Sequence, residues 1–151
     1  MNKNPIVICY DGSPGAARAI EAAATLLGPR RSVVVDVAPP ITAAESVATI
    51  SAVVPAAAFE QANTADASHV AAQGAQLARA SGFDAEARAI TGTPTWEAVI
   101  DVANELGAAA IVIGSRGLSG MREFFEGSLS HDVAEHAGRP VLIVPPPHDE
   151  R

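Results

Sequence analysis

The sequence lacks several features that would each indicate a particular class of protein. It has a single cysteine, Cys9, so no disulfide framework can form, as expected of a protein in a reducing cytoplasm. Its formal net charge is −7, whereas a nucleic-acid-binding domain would carry a basic face. No stretch approaches the roughly eighteen consecutive apolar residues of a membrane-spanning helix. We therefore expect a cytoplasmic protein that binds neither nucleic acid nor membrane.

Aromatic residues make up only 4% of the chain, although 48% of it is hydrophobic, so the core must consist mainly of Ala, Val, Ile and Leu. Short apolar runs bounded by Gly or Pro predict five strands, at 5–10, 32–37, 85–90, 109–114 and 140–145. All but the third are nearly continuous in apolar residues, as in parallel strands that are buried on both faces. The third alternates Ala with charged residues, which favours an edge position.

Helical periodicity between these runs predicts four helices. They extend from Ser13-Pro14 to Gly28, over 57–80 with Gly82 as the stop just beyond, from Thr93-Pro94 to Gly107, and from Ser128 to Gly138. The second is predicted to use Val70 and Leu77 on its apolar face. The third is predicted to bury Trp96 and Ile100 against the sheet. The segment 38–58 has no clear period and is predicted to be a flexible flap.

This alternation predicts one domain over 1–151 of the α/β class, with a doubly wound, Rossmann-like, five-stranded parallel sheet and helices on both faces. The expected strand order is 3-2-1-4-5. Because this order reverses between strands 1 and 4, a crevice should open there at the carboxyl ends of the strands. The loops beside it begin YDGS, after strand 1, and GSRGLSG, after strand 4.

The loop after strand 4 has the composition of an anion site. The stretch GSRGLSGMREFFEGSLS, residues 114–130, contains four glycines and leads into the last helix. Glycine lets backbone approach a phosphate, and a helix N-terminus offers unpaired N–H groups. The stretch contains neither the Gly-Lys-Ser/Thr of a Walker A loop nor the G-x-G-x-x-G of a dinucleotide site. The alternative is that the glycines only form a turn and cap the helix.

The glycine spacing here is G-x2-G-x9-G-(S/T), and at this motif the sequence resembles the universal stress protein family of the ATP-binding type. YDGS, GTP, GSLS and RPVLIVP agree with the same resemblance. It implies a site for ATP, with Mg²⁺ bound through the phosphates. Asp11 would lie beside the adenosine and Val37 against the adenine. The ribose and phosphates would be held by Ile113, Gly114, Arg116, Gly117, Gly127, Ser128, Leu129 and Ser130.

No pattern of residues indicates catalysis. His131 and His136 are five positions apart, about 140° around a helix, and cannot share a metal without further ligands. Asp11 is the only carboxylate expected in the crevice. The favoured function is a role in stress response or signalling through nucleotide occupancy, with slow ATP hydrolysis not excluded. The alternatives are a partner-binding homodimer that does not use nucleotide, which Glu126 beside Gly127 leaves open, and an adenylyl-transferring enzyme.

The apolar composition of strand 5 predicts a homodimer. Its residues Val141, Leu142, Ile143 and Val144 are apolar on both faces, and no Lys or Glu protects the strand at the edge of the sheet. A two-fold axis would let the strand pair with its own copy. The family resemblance implies the same interface.

Overall fold

The computed structural model describes residues 4–37, 56–90, 95–115 and 129–148, and within them strands and helices alternate. The elements are β1 (Ile6–Tyr10), α1 (Pro14–Leu27), β2 (Arg31–Asp36), α2 (Ala56–Ala80), β3 (Asp84–Arg88), α3 (Thr95–Glu105), β4 (Ala110–Gly114), α4 (Leu129–His136) and β5 (Val141–Val144). Each predicted strand is present. The predicted flap at 38–58 lies outside the described residues, except that α2 already begins at Ala56.

The strands form one sheet in the order β3-β2-β1-β4-β5, and every neighbouring pair is parallel. The predicted topology is therefore confirmed. Ile8 is level with Val34 on one side and with Val112 on the other, so β1 is the centre of the sheet. The charged third strand is at one edge, as its alternation predicts.

Both faces of the sheet are covered by helices. Ile6, Ile8 and Tyr10 of β1 point into a core that α1 and α2 complete, mostly with alanines. Val7 and Cys9 point the other way, into a second core that α3 and α4 complete. Since successive side chains of a strand alternate between faces, every residue of β1 is buried.

The helix ends follow the predicted signals. The Ser13 hydroxyl oxygen accepts a hydrogen bond from the Ala16 N–H at 3.1 Å, and Pro14 is the first residue of α1. The glycines predicted to stop the helices, Gly28, Gly82, Gly107 and Gly138, all have positive φ.

The buried face of α2 differs from the prediction. Leu77 is 40% exposed, and the residues that face the sheet are Ala71, Gly74, Ala75 and Ala78. A Cβ added at Gly74 would lie 2.7 Å from Cγ and Cδ1 of Tyr10 and from Cγ1 of Val34. Small residues thus bring the helix backbone onto the Tyr10 ring, which leaves no room for a leucine between helix and sheet.

The buried face of α3 also needs correction. Val99, Val102 and Ala103 are buried, whereas Ile100 is half-buried. Trp96 is half-buried and packs at the margin of the second core. Its ring stacks on His136 of α4, with centroids 4.5 Å apart and planes at 23°. The indole thus also has a partner on the neighbouring helix, which the helical spacing of α3 did not indicate.

Gly74 offers a test of how closely α2 packs on the sheet. In an ordinary helix Gly→Ala stabilises by up to about 1 kcal/mol. At position 74 the added methyl overlaps Tyr10 and Val34, and overpacking typically costs about 1–3 kcal/mol. We expect urea unfolding of Gly74→Ala to show a net loss of stability, with Gln76→Ala on the exposed side of α2 as a nearly neutral control. A stabilised Gly74→Ala protein would contradict the packing described.

Candidate functional site

The candidate site lies at the carboxyl ends of β1 and β4, where the strand order reverses. The register that pairs Ile8 with Val112 brings the residues after both strands to the same edge of the sheet. Asp11 follows β1, and Gly114 is the last residue of β4. This is the edge at which open parallel α/β sheets bind their ligands.

The loop after β1 is an ordered turn that begins α1. Asp11 is 9% exposed, and its Oδ1 accepts a hydrogen bond from the Ser13 N–H at 2.9 Å. Gly12 between them has φ of 81°, a left-handed conformation that glycine adopts without strain. The carboxylate is therefore fixed beside the first turn of the helix, at the edge where the sequence predicts it.

Gly114, at the end of β4, packs against the helix that this turn begins. A Cβ at Gly114 would lie 3.0 Å from the carbonyl oxygen and 3.1 Å from the carbonyl carbon of Gly15, and 3.4 Å from the nitrogen of Ala16. Those atoms are backbone and cannot rotate away. The end of β4 therefore packs directly on the first turn of α1, a structural need for glycine beside its predicted role near ribose and phosphates.

Two of the predicted contact residues are apolar members of the second core. Val37 is half-buried, and its N–H donates to the Tyr10 carbonyl oxygen at 3.0 Å. Ile113 is 3% exposed and belongs to the same cluster. They give the crevice an apolar side on the face that α3 and α4 cover.

The helix whose N-terminus is predicted to bind the phosphates is α4. Leu129 and Ser130 are its first two residues. Leu129 is half-buried against the second core, and Ser130 is 8% exposed. Arg116, Gly117, Gly127 and Ser128 lie outside the described residues, so their predicted places in the site stay predictions.

Asp36 was not among the predicted site residues. It ends β2 opposite Tyr10 and is only 7% exposed. A second carboxylate is thus buried at the same edge of the sheet as Asp11, one strand away. The signal in the sequence is an acidic residue inside the otherwise apolar run SVVVDV, which the strand prediction passed over.

The charge of Asp11 acts on the residues that precede it. Burial, and to a lesser extent the nearby carboxylate, raises the pKa of the Cys9 thiol to about 12. The same two causes raise the pKa of the Tyr10 hydroxyl. Cys9 therefore stays protonated at neutral pH and is not a nucleophile.

The two α4 histidines have separate partners, as their spacing predicts. His131 Nε2 lies 3.6 Å from Glu135 Oε2, whereas His136 places Nδ1 2.9 Å from the Asp132 carbonyl oxygen. Over the described ranges, no three His, Cys, Asp or Glu residues are grouped to hold a metal ion.

A parallel sheet of order 3-2-1-4-5, covered by helices on both faces, defines a doubly wound α/β domain whose strand order reverses between β1 and β4. The model of the universal stress protein family matches residues 3–145, nearly the whole chain. The chain belongs to this family.

Known proteins agree with this assignment. Universal stress protein YxiE of Bacillus subtilis (strain 168) is 42% identical over 69 residues, which are 46% of each chain, so the match takes in about half the length of that relative. The solved structure of hypothetical protein MJ0577 superposes with a TM-score of 0.71 at 18% identity, covering 99% of this chain and 100% of that one. A universal stress protein in complex with cAMP superposes with a TM-score of 0.65 at 24% identity, covering 93% and 96%. At these identities the two structures show the shared fold.

Among the helices of the described residues, none combines the length and apolar character needed to cross a membrane.

The raised pKa values predict a loss of stability in alkali. The folded chain keeps the Cys9 proton up to about pH 12, whereas an unfolded cysteine releases it near pH 8.5, at about the ordinary value. The unfolded state thus binds fewer protons above that pH, and the free energy of unfolding falls as pH rises. Between pH 9 and 11 we expect a steeper fall for the wild type than for Cys9→Ala, by up to about 1.4 kcal/mol per pH unit. Parallel pH profiles from urea unfolding would contradict the burial of this thiol.

Proposed function

We propose that this universal stress protein binds an adenine nucleotide, ATP with Mg²⁺, in the crevice between β1 and β4. It would act in stress response or signalling through nucleotide occupancy and not through catalysis. The observation that carries the proposal is the direct packing of the Asp11 turn, through α1, on Gly114 at the switch point of the sheet. This contact holds the turn after β1 and the end of β4 together at the carboxyl ends of the strands, where the two sequences that resemble nucleotide-binding motifs begin.

Each part of the crevice has a chemistry that suits one part of the nucleotide. Val37 is half-buried and offers an apolar surface for a base, whereas Ile113 belongs to the core on the same face of the sheet. The Asp11 carboxylate can accept hydrogen bonds from ribose hydroxyls. The N-terminus of α4 offers N–H groups and the positive end of the helix dipole for phosphates. A related universal stress protein has been solved with cAMP, which supports an adenine nucleotide as the class of ligand.

The metal would be held mainly by the nucleotide. Mg²⁺ in nucleotide sites is commonly bound by one or two carboxylates together with phosphate oxygens and water. At the described end of the sheet Asp11 and Asp36 are the buried carboxylates. Mg²⁺ carried on the phosphates, with water and at most one of these carboxylates completing its ligands, fits this donor set.

Titration calorimetry with MgATP tests the site. We expect Gly127→Val to abolish binding, because a branched side chain would occupy the space proposed for phosphate oxygens. Ser128→Ala should weaken binding by only about 0.5–1.5 kcal/mol, since it removes one hydroxyl and leaves the backbone N–H groups.

The control is Gly82→Ala, which alters a glycine just beyond α2, at the amino ends of the strands, where φ is 104°. It should lower the melting temperature and leave the affinity unchanged. A wild-type chain that does not bind millimolar MgATP, or a Gly127→Val chain with unchanged affinity, would overturn the proposal.

We also propose that the protein forms a homodimer through β5. This strand is at the edge of the sheet and none of its four residues is fully buried. Ile143 is 38% exposed, and a second copy would cover it. An apolar edge strand without charged residues is a ready surface for such pairing.

Sedimentation velocity at micromolar concentration tests the dimer. Ile143→Lys should shift the protein toward monomer, because two buried lysines would face each other across the two-fold axis. Leu77→Lys is a matched control, since Leu77 is 40% exposed but lies on α2, over the other half of the sheet. A monomeric wild type, or equal dissociation of both variants, would exclude this interface.

A further inference from the structure

We propose that Trp96, His136 and Arg139 are positioning residues for nucleotide binding, although they lie at the far end of α4 from the crevice. They would set the direction of α4 and thereby place its N-terminal N–H groups. This inference rests on the proposed nucleotide site, to which it assigns three further residues.

The helix α4 cannot hold its own direction. It has eight residues, and isolated helices shorter than about 12–15 residues are marginal in water. Its buried residues, among the eight described, are Ser130 and Val133, both in its first half or near its centre. The orientation of this short helix must therefore depend on contacts with its neighbours.

The first contact at the C-terminal end is an aromatic stack. The His136 ring lies on the Trp96 ring of α3 with centroids 4.5 Å apart and planes at 23°, an offset geometry that aromatic pairs favour. His136 is the last residue of α4, and its Nδ1 lies 2.9 Å from the Asp132 carbonyl oxygen one turn earlier. The ring is thus held on its own helix while its face packs on the next.

The second contact is the Arg139 guanidinium, which joins the end of α4 to the end of α3. It donates to the Ala103 and Ala108 carbonyl oxygens at 2.8 Å each, and to the Ala137 carbonyl oxygen at 3.2 Å. It also donates to Oδ1 of Asn104. Ala103 and Asn104 lie in the last turn of α3, where a cation complements the helix dipole. Ala137 directly follows α4, so one planar group fixes both chain segments.

Together these contacts hold α4 by its C-terminal end along α3. Trp96 lies in the first turn of α3, and the carbonyl groups that Arg139 binds lie in and beyond its last turn. Leu129 and Ser130 are at the other end of α4, about 10 Å away at 1.5 Å per residue. A tilt of about 10° about the C-terminal end would move the N-terminus by about 2 Å, more than a hydrogen bond tolerates.

The same geometry makes Trp96 a reporter of the site. Trp96 is the single tryptophan of the chain. If the stack sets the position of the phosphate-binding end, a ligand that fixes that end must also act on the stack, because coupling between two sites is reciprocal. We therefore expect MgATP to change the intrinsic fluorescence of the wild-type protein with the same midpoint as calorimetry.

Pairs of variants separate positioning from stability. His136→Ala removes the stack, whereas His136→Phe keeps a flat ring on Trp96. We expect about a tenfold loss of affinity for the first and a change of less than about twofold for the second. Arg139→Lys keeps the charge but cannot reach all of the acceptors with one planar group, and it should also lose about tenfold. Gly82→Ala, which strains the backbone just beyond the C-terminal end of α2, where φ is 104°, is the control; it should lower the melting temperature and bind normally.

The outcomes distinguish this inference from the function on which it rests. A wild-type chain that binds no nucleotide would overturn both. A wild type that binds, together with His136→Ala and Arg139→Lys chains of lowered melting temperature but unchanged affinity, would overturn the positioning role alone. Should these two variants not fold, wild-type fluorescence decides. A midpoint matching calorimetry supports the coupling, and fluorescence that MgATP leaves unchanged at saturation overturns it.

Discussion

The burial of β1 on both faces is the constraint on which the rest of the structure depends. All five of its residues are buried, with Ile6, Ile8 and Tyr10 in one core and Val7 and Cys9 in the other. Such a strand needs a helical layer on each side, so the chain must build outward from β1 in both directions. The strand order then reverses beside β1, and the end of β4 meets the first turn of α1 there. The position of the candidate site is thus a consequence of how the central strand is covered.

Close backbone approach gives this site its rigidity. At Gly114 the end of β4 meets backbone atoms of Gly15 and Ala16 in α1, and Asp11 accepts a hydrogen bond from the turn that starts the same helix. At Gly74 the backbone of α2 meets the Tyr10 ring, directly before Asp11. Both glycines provide space that a methyl group would fill. The crevice edge is therefore built on packed backbone, which suits the preorganised binding of a small ligand.

Much of the fold was predictable because the signals for its strands and helix ends depend on residues that are close together in the sequence. The apolar runs identify β1, β2, β4 and β5, and the charges of Glu86 and Arg88 identify β3 as an edge strand. Ser13, Pro14 and the four stop glycines mark helix ends by conformations that depend on a few neighbouring residues. Six of the predicted site residues lie in or next to the ends of described elements: Asp11, Val37, Ile113, Gly114, Leu129 and Ser130.

What could not be predicted depends on distances between elements. Helical spacing gives the direction of a side chain but not how near the next layer lies, so Leu77 and Ile100 were expected to be buried and are not. The stack of Trp96 on His136 could not be predicted, because it depends on α4 lying beside α3. The packing reason for Gly114 and the burial of Asp36 required the three-dimensional arrangement. For Arg116, Gly117, Gly127 and Ser128, outside the described residues, the site roles remain predictions from sequence.

The central claim is that the edge of the sheet beyond β1 and β4 binds an adenine nucleotide. The most direct measurement is a backbone amide NMR titration with MgATP, assigned residue by residue. The account predicts saturable shifts at Gly12, Ser13, Val37, Gly114 and Ser130. It predicts none at the amino ends of the strands, where Arg31, Asp84 and Gly107 serve as references. Shifts concentrated at the amino ends of the strands, or an unchanged spectrum at millimolar MgATP, would contradict it.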